Sequence, residues 1–387
     1  MKTLRSGRNR RKGIYVLLLM GLLGLSGCGS PSSASVEMSS QTELVKTGSM
    51  ELQYAENFAV DYYEDGYKML TTLPDSKRYL LVPEGQPVPR GLDEDVSILQ
   101  EPLQNIYLVA SGVMDMFASL DAVDQIRFSG QKQENWYIQT AKDAMAAGDM
   151  IYAGKYSKPD YELLVSEGCD LAIENRMITH SPEVVEMLQS FDIPVMIEYS
   201  SYEQHPLGKV EWVKFFGALT GKEAEAEEAF AEQTEILEKV ESGEKTGKTI
   251  AFFYVTSNGL IQVRQSTDYI PKLIELAGGR YIFEDLEDSG SGRSTLNMQV
   301  EDFYAGAKDA DILIYNSSID GGVTTVDELI GKCNILKDFK ALQEGQVYCT
   351  TNDMYQQSMA IGYLLQDMHT VLTDDDTAKL RYLFLLQ

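Results

Sequence analysis

At 387 residues the chain is long enough for two domains of ordinary size, and a hydrophobic content of 44% without a low-complexity core marks it as globular. Its 33 basic and 59 acidic residues give a net charge of −26. That balance argues against a nucleic-acid partner, which would need clustered Lys and Arg to neutralise phosphates.

Six of the basic residues (Lys2, Arg5, Arg8, Arg10, Arg11 and Lys12) fall in the first twelve positions, where there is no acid. They precede residues 14–25, an apolar run too short to span a bilayer comfortably and the right length for the core of a signal peptide. The run ends in Leu25-Ser26-Gly27-Cys28, which resembles a bacterial lipobox. The resemblance implies that residues 1–27 are removed and that Cys28 carries a diacylglycerol. The remaining chain would hold 27 basic and 59 acidic residues, a net charge of −32. Residues 28–50 are small and polar, without periodicity, and read as a flexible tether.

Residues 51–206 read as a β-meander followed by a first α/β lobe. The meander alternates through Phe58, Val60 and Tyr62, turns at Glu64-Asp65-Gly66, and continues through Tyr67, Met69 and Thr71 to a strand at 79–82. The lobe alternates strand and helix: strands at 105–111, around 125–130, 170–174 and 193–200, helices at 113–120, 135–147, 159–168 and 182–190. Such alternation implies a mostly parallel sheet with helices on both faces.

Residues 207–243 form the longest helical signal, with a break at Thr220-Gly221. Thr220 followed by Glu223 has capping-box spacing, so a second helix is predicted to start there. From residue 222 to 241 that helix would span roughly 30 Å, a strut between two lobes. Residues 244–387 repeat the alternation, with strands at 248–255, 310–318 and 346–351 and helices at 268–279, 299–308, 325–340 and 357–372. The two lobes share a faint repeat, an Asp leading an apolar strand, at CDLAIEN and ADILIYN. Cys169 reads as a buried thiol, and the pairing of Cys333 with Cys349 is left open.

Four segments in order, NIYLVASGVMDMFASLDAVDQIRFSG, AGKYSKPDYELLVSEGCDLAIE, EWVKFFGALTGKEAEAEEAF and LKDFKALQEGQVYCT, resemble the substrate-binding lipoproteins of ABC importers for iron–siderophore complexes, haem and cobalamin. The resemblance covers about residues 100–372. It implies an α/β fold of two lobes with mostly parallel sheets joined by a long rigid helix, here with an added N-terminal β-meander. It implies an extracytoplasmic, lipid-anchored monomer that works with an ABC permease and its ATPase. It also implies an acidic residue on each lobe that docks on the permease: Glu162, eight residues before Asp170, and Glu301, ten before Asp311.

In parallel α/β lobes, ligands sit outside the carboxyl ends of the strands. Residues just after each predicted strand, with Trp136 from a loop, give the ligand-binding candidates. In the first lobe they are Trp136, Lys155, Tyr156, Arg176, His180 and His205, with Ser111, Met177 and Tyr202 near them. In the second lobe they are Tyr254, Arg264, Asn316 and Tyr355, with Asn352 and Met354 beside the last. Arg offers forked donors to carboxylates, and Tyr and Trp offer flat faces, so the set suits a planar or anionic chelate. The three histidines, His180, His205 and His369, are too scattered for a naked metal site, although one could ligate haem iron axially. No catalytic residue and no resident cofactor or metal is expected. Two alternatives remain: a chelatase-like enzyme on similar lobes, or a surface adhesin or sensor.

Overall fold

A computed structural model of the protein describes residues 44–286, 294–317, 320–375 and 377–387. The predicted signal peptide, Cys28 and most of the predicted tether lie outside the described residues.

The described chain opens with a five-stranded sheet, β1 Lys46–Ser49, β2 Phe58–Tyr63, β3 Lys68–Thr72, β4 Lys77–Val82 and β5 Val96–Gln100, in that spatial order. Strands β2, β3 and β4 form the predicted antiparallel meander, β1 pairs antiparallel with β2 at its edge, and β5 adds in parallel to β4. Residues 46–49 were expected to belong to the tether. They form an exposed edge strand instead, held to β2 by Ser49 Oγ donating to Asp61 (2.7 Å) and by the Lys46–Asp61 ion pair (2.7 Å). Their lack of apolar alternation hid the strand, because neither face of β1 is buried.

Lobe one follows as β6 Ile106–Leu108, α1 Val113–Ser119, β7 Ile126–Ser129, α2 Gln139–Ala147, β8 Ile151–Tyr152, the small hairpin β9 Gly154–Lys155 and β10 Lys158–Pro159, α3 Tyr161–Ser166, β11 Leu171–Asn175, α4 Pro182–Ser190 and β12 Val195–Glu198. Its main sheet has the order β12-β11-β6-β7-β8, and every pairing in it is parallel. Two linking helices come next, α5 Pro206–Thr220 and α6 Glu223–Glu241.

Lobe two comprises β13 Thr249–Val255, β14 Ile261–Arg264, α7 Tyr269–Leu276, β15 Arg280–Tyr281, β16 Thr295–Met298, α8 Val300–Ala307, β17 Ile312–Tyr315, α9 Val326–Lys332, α10 Lys340–Gln343, β18 Val347–Thr350, α11 Ile361–Thr373 and β19 Leu383–Leu385. Its sheet runs β16-β14-β13-β17-β18-β19, with β15 beside β13. Strands β13, β15, β17 and β18 are parallel, whereas β14, β16 and β19 add antiparallel edges. Cys169, Cys333 and Cys349 are all free thiols. Burial pushes the Cys169 thiol up to about 12.

The faint repeat has a structural counterpart. Asp170 accepts the backbone N–H groups of Gln104 (3.0 Å) and Asn105 (2.9 Å) at the start of β6. Asp311 does the same for Thr249 N (2.7 Å) at the start of β13, and also accepts Thr249 Oγ1 (2.8 Å) and Lys340 Nζ (2.6 Å). In each lobe the carboxylate that leads one strand pins the start of the neighbouring parallel strand.

The organising element is α5 rather than the longer α6. Residues 206–219 of α5 are all buried, including Lys209, Glu211 and Lys214. The N-terminal sheet covers its one side with Phe58, Val60, Leu70, Tyr79 and Leu81, in the same core as α1, α7 and α11. At Gly217 a Cβ would lie 2.6 Å from that of Ala226, so this glycine sets the close approach of α5 and α6. The predicted capping box does not form. Thr220 is the last residue of α5 and its Oγ1 donates back to Phe216 O (2.7 Å), Gly221 ends the helix at φ 71°, and Lys222 caps α6 without a side-chain bond. A capping box is found instead at Thr325 and Glu328, at the start of α9.

Two buried carboxylates tie the N-terminal segment to this helix. Glu211 accepts the N–H of Gln53, Tyr54 and Ala55 at 2.8–3.1 Å. Glu203 accepts those of Glu56 (2.9 Å) and Asn57 (3.0 Å) together with Trp212 Nε1 (2.9 Å). Five successive backbone donors, those of residues 53–57, are thereby satisfied by side chains of α5 and of the turn before it.

Candidate functional site

Because all main-sheet strands of lobe one are parallel, their carboxyl ends share one edge, and that edge faces lobe two across a cleft. Lobe one lines it with Ala110, Ser111 and Gly112 after β6, with Asn175, Arg176 and Met177 at the end of β11 and just beyond it, and with Glu198, Ser201 and Tyr202 at the end of β12 and just beyond it. Lobe two supplies Arg264, Tyr269, Ser294, Met354 and Tyr355, and α5 supplies Lys209. The cavity has a volume of about 280 Å³.

Each charged group has a definite setting. The Arg176 guanidinium lies 4.5 Å over the Tyr202 ring. Lys209 places its ammonium 4.8 Å over the ring of Tyr269. Arg264, 17% exposed, pairs with the buried Asp268 at 3.4 Å and lies 5.7 Å over the Phe252 ring. Asp268 also caps α7 by accepting Ile270 N (2.9 Å). Burial pushes its carboxyl up, and Arg264 pulls the other way. Glu198 Oε2 accepts both Ser200 N (2.8 Å) and Ser200 Oγ (2.5 Å). Burial raises the Glu198 carboxyl, opposed by those bonds and by the charge of Lys209.

One wall of the cleft ties the lobes together. Gln356, just beyond Tyr355, is buried and reaches into lobe one. Its Oε1 accepts Tyr137 N (2.8 Å), and its Nε2 donates to Asn135 O (2.8 Å) and to Tyr355 Oη (3.1 Å). Next to it, Met359 N donates to Asp115 Oδ2 on α1 (2.7 Å). Burial lifts the Asp115 carboxyl to about 6 although Met359 and Lys209 both pull it down.

Of the ligand candidates, Arg176, Arg264 and Tyr355 meet in the cleft, together with Ser111, Met177, Tyr202 and Met354. The others do not line it. Trp136 is 1% exposed, and its Nε1 donates to Ser129 Oγ (3.1 Å) inside lobe one, so it is core. Lys155 is exposed on the β9–β10 hairpin, and Tyr156 packs against the outer face of lobe one, because the hairpin carries both away from the strand ends. His180 is exposed at the end of a 3₁₀ turn. His205 caps α5, accepting Leu207 N at Nδ1 (3.1 Å), and stacks 4.4 Å from Tyr54 beside a separate hollow. Tyr254 packs 6.2 Å from Tyr315, and Asn316 is buried at the end of β17. Asn352 Oδ1 accepts Ser317 Oγ (3.2 Å). Replacing Trp136 with Phe is expected to lower stability by about 1–2 kcal/mol in urea unfolding, through lost packing and one lost hydrogen bond, with no change in ligand affinity.

Lys209 and Tyr269 were missed. The signal was in the sequence: 206–219 is an apolar helix interrupted by three charges, Lys209, Glu211 and Lys214. A charge on a helix buried all round needs a purpose. In lobe two the carboxyl-end rule works only for the segment after β18, because Arg264 belongs to the antiparallel strand β14, whose existence the alternation did not suggest. Among the described residues no cluster of three or more His, Cys, Asp or Glu could hold a metal ion.

The fold is the two-lobed α/β fold of periplasmic solute-binding proteins. Among solved structures the chain is similar to the periplasmic haem-binding protein of Vibrio cholerae (TM-score 0.55, 14% identity, 69% of this chain and 98% of that one). It is also similar to an ABC-type Fe3+-hydroxamate transport protein of Saccharomonospora viridis (TM-score 0.54, 16% identity, 70% and 93%). A third is an ABC-transporter substrate-binding protein of Listeria monocytogenes (TM-score 0.52, 16% identity, 70% and 98%). Among curated sequences the chain is similar to an uncharacterized lipoprotein of Methanocaldococcus jannaschii, 24% identical over 396 residues that cover 93% of this chain and 92% of the relative. A second uncharacterized lipoprotein of that archaeon is 23% identical over 88% of this chain and 89% of its own length. No family model matches the chain.

Proposed function

We propose that the protein is the extracytoplasmic substrate-binding component of an ABC importer, which holds a metal chelate between its lobes and hands it to a permease and ATPase. The observation that carries this reading is the cleft itself. It lies between two α/β lobes, at the carboxyl ends of the lobe-one strands, and is lined by Arg176, Lys209 and Arg264 beside the rings of Tyr202, Tyr269 and Tyr355. Those groups can grip the periphery of a chelate through charge-assisted hydrogen bonds and flat contacts without ligating its metal. Iron–siderophore is the favoured cargo, with haem and corrinoid as the other members of the class. The lipobox-like Leu25–Cys28 segment and the lipoprotein names of the archaeal relatives support anchoring through Cys28 on the outer side of the cell membrane.

Glu162 and Glu301 are the proposed permease contacts. Each is exposed in the first turn of its helix, α3 in lobe one and α8 in lobe two. Titration calorimetry and absorbance, with ferric siderophores, haemin and cobalamin tried separately on the purified protein, test the binding step. Trp136 and Trp212 are both core residues, so fluorescence quenching would be a weak reporter. Saturable sub-micromolar binding of one chelate supports the reading, and binding of none removes its basis. Replacing Glu162 with Lys is expected to abolish uptake in cells while affinity stays within twofold. A loss of affinity would instead place Glu162 at the ligand.

A further inference from the structure

The cleft reverses the charge of the protein around it. Acids outnumber bases 59 to 33 over the chain. The described residues that line the cleft include three bases, Arg176, Lys209 and Arg264, and one acid, Glu198. Glu198 is engaged internally, since one of its oxygens takes both bonds from Ser200.

The three cations belong to three different parts of the fold: Arg176 follows β11 of lobe one, Arg264 ends β14 of lobe two, and Lys209 stands on α5 between them. Lys209 is the least expected. It is 6% exposed and rests over Tyr269. Among the described residues it makes no ion pair within 4 Å, although its charge reaches Asp115, Glu198 and Asp268. Burying an ammonium that no carboxylate contacts directly is unfavourable unless the site gains something from it. An anion in the cleft would supply the missing partner. Arg264 already pairs with Asp268 at 3.4 Å, so such an anion would need at least two negatively charged oxygen groups to engage Arg176 and Lys209 together. The volume of about 280 Å³ lies just below the usual range of ligand pockets, roughly 300–1,000 Å³, so a compact chelate fits within the cleft whereas a macrocycle would project from its open mouth.

We infer that the cleft selects a compact, anionic metal chelate bearing two or more carboxylate-type oxygens, and that Lys209 is the residue that sets this selectivity. The inference rests on the chelate-binding reading above and narrows it. Ferric citrate serves as the anionic probe, with ferrioxamine B and cyanocobalamin as probes that carry no net negative charge. The wild-type protein is expected to bind ferric citrate at least tenfold more tightly than either. Lys209→Met should weaken ferric citrate about 10- to 100-fold and leave the other two unchanged, the loss expected of one charge-assisted contact. Lys209→Arg should retain affinity within about tenfold. If melting shows that Lys209→Met does not fold, Arg176→Gln, on a half-buried side chain, is expected to give the same selective loss.

A preference for ferrioxamine B or cyanocobalamin overturns the anion selectivity while leaving the chelate reading intact. Ferric citrate binding that is indifferent to a folded Lys209→Met, or to Arg176→Gln if that variant must stand in, overturns the role of the cleft cations. Binding of no chelate at all removes both.

Discussion

Replacing Glu211 with Ala is expected to destabilise the protein by about 3–5 kcal/mol, read as a fall in the urea midpoint. Glu211 is fully buried and takes three successive backbone N–H groups of the N-terminal segment, Gln53, Tyr54 and Ala55, at 2.8–3.1 Å. Lys214 lies 3.5 Å from it and is itself 4% exposed. Removing the carboxylate leaves those donors without an acceptor and takes a partner from a buried ammonium. Both losses carry the desolvation cost of an unpaired group. Glu211→Gln keeps one acceptor oxygen but turns an amide toward the donors, so an intermediate loss of about 2 kcal/mol is expected. The exposed Glu227, the other partner of Lys214 at 3.0 Å, provides the comparison: Glu227→Ala should cost under about 1 kcal/mol. Equal effects at positions 211 and 227 would mean that the N-terminal segment is not held as described.

The second large effect is on pH dependence. Burial raises the carboxyls of Glu174, Asp115, Glu198, Glu203, Asp268 and Asp367 above their ordinary values. A carboxyl raised in the folded state contributes stability that is fully present below its unfolded value and is lost as pH rises through the folded one. For Asp115 that window runs from 3.8 to about 6. Asp311 and Asp320 act in the opposite sense: burial is outweighed by hydrogen bonds, from Lys340 and Thr249 in one case and from Lys332 and Tyr315 in the other. Their contribution is present above 3.8 and lost as pH falls below it. The protein is therefore expected to be more stable at pH 5 than at pH 8. Glu174 should dominate, because it lies in the lobe-one sheet with neither carboxyl oxygen hydrogen-bonded. Glu174→Met should gain about 1–3 kcal/mol at pH 8, the usual penalty of an unsatisfied buried group, and flatten the profile. Stability that is level or rising from pH 5 to pH 8 in urea titrations would contradict this.

The alternating pattern made the architecture legible. Helix 182–190 is reproduced as Pro182–Ser190, and the strand at 248–255 appears as Thr249–Val255. Even the Asp-led repeat proved to be two carboxylates with the same task. What failed to show were the exposed β1, whose faces are not sorted by polarity, and the antiparallel strands of lobe two, which are short: β14 alternates Ile261 and Val263 with Gln262 and Arg264, but over only four residues. The cleft was half legible. Arg176 follows a parallel strand, where the carboxyl-end rule applies, and Arg264 was reached by position without knowledge of its strand. Trp136, Tyr254 and Asn316 misled because sequence order cannot tell a side chain that enters a cleft from one that turns into the core beneath it. Lys209 escaped because an apolar helix reads as packing, and its charges read as incidental.

The tie between the lobes bears on timing. Gln356 and Met359 hold lobe two to Asn135, Tyr137 and Asp115 along one wall of the cleft. Lobes free to swing would populate the competent arrangement only part of the time, and the apparent affinity would fall by that fraction. Lobes already tied incur no such loss, so entry can be fast and occupancy can depend on the contacts alone. The same tie slows departure, because spontaneous gaping along that wall needs several hydrogen bonds to break together. If the proposed handover takes place, whatever unloads the cleft quickly must pull the lobes apart from outside, and the mechanical work of emptying would then fall on the recipient rather than on the carrier.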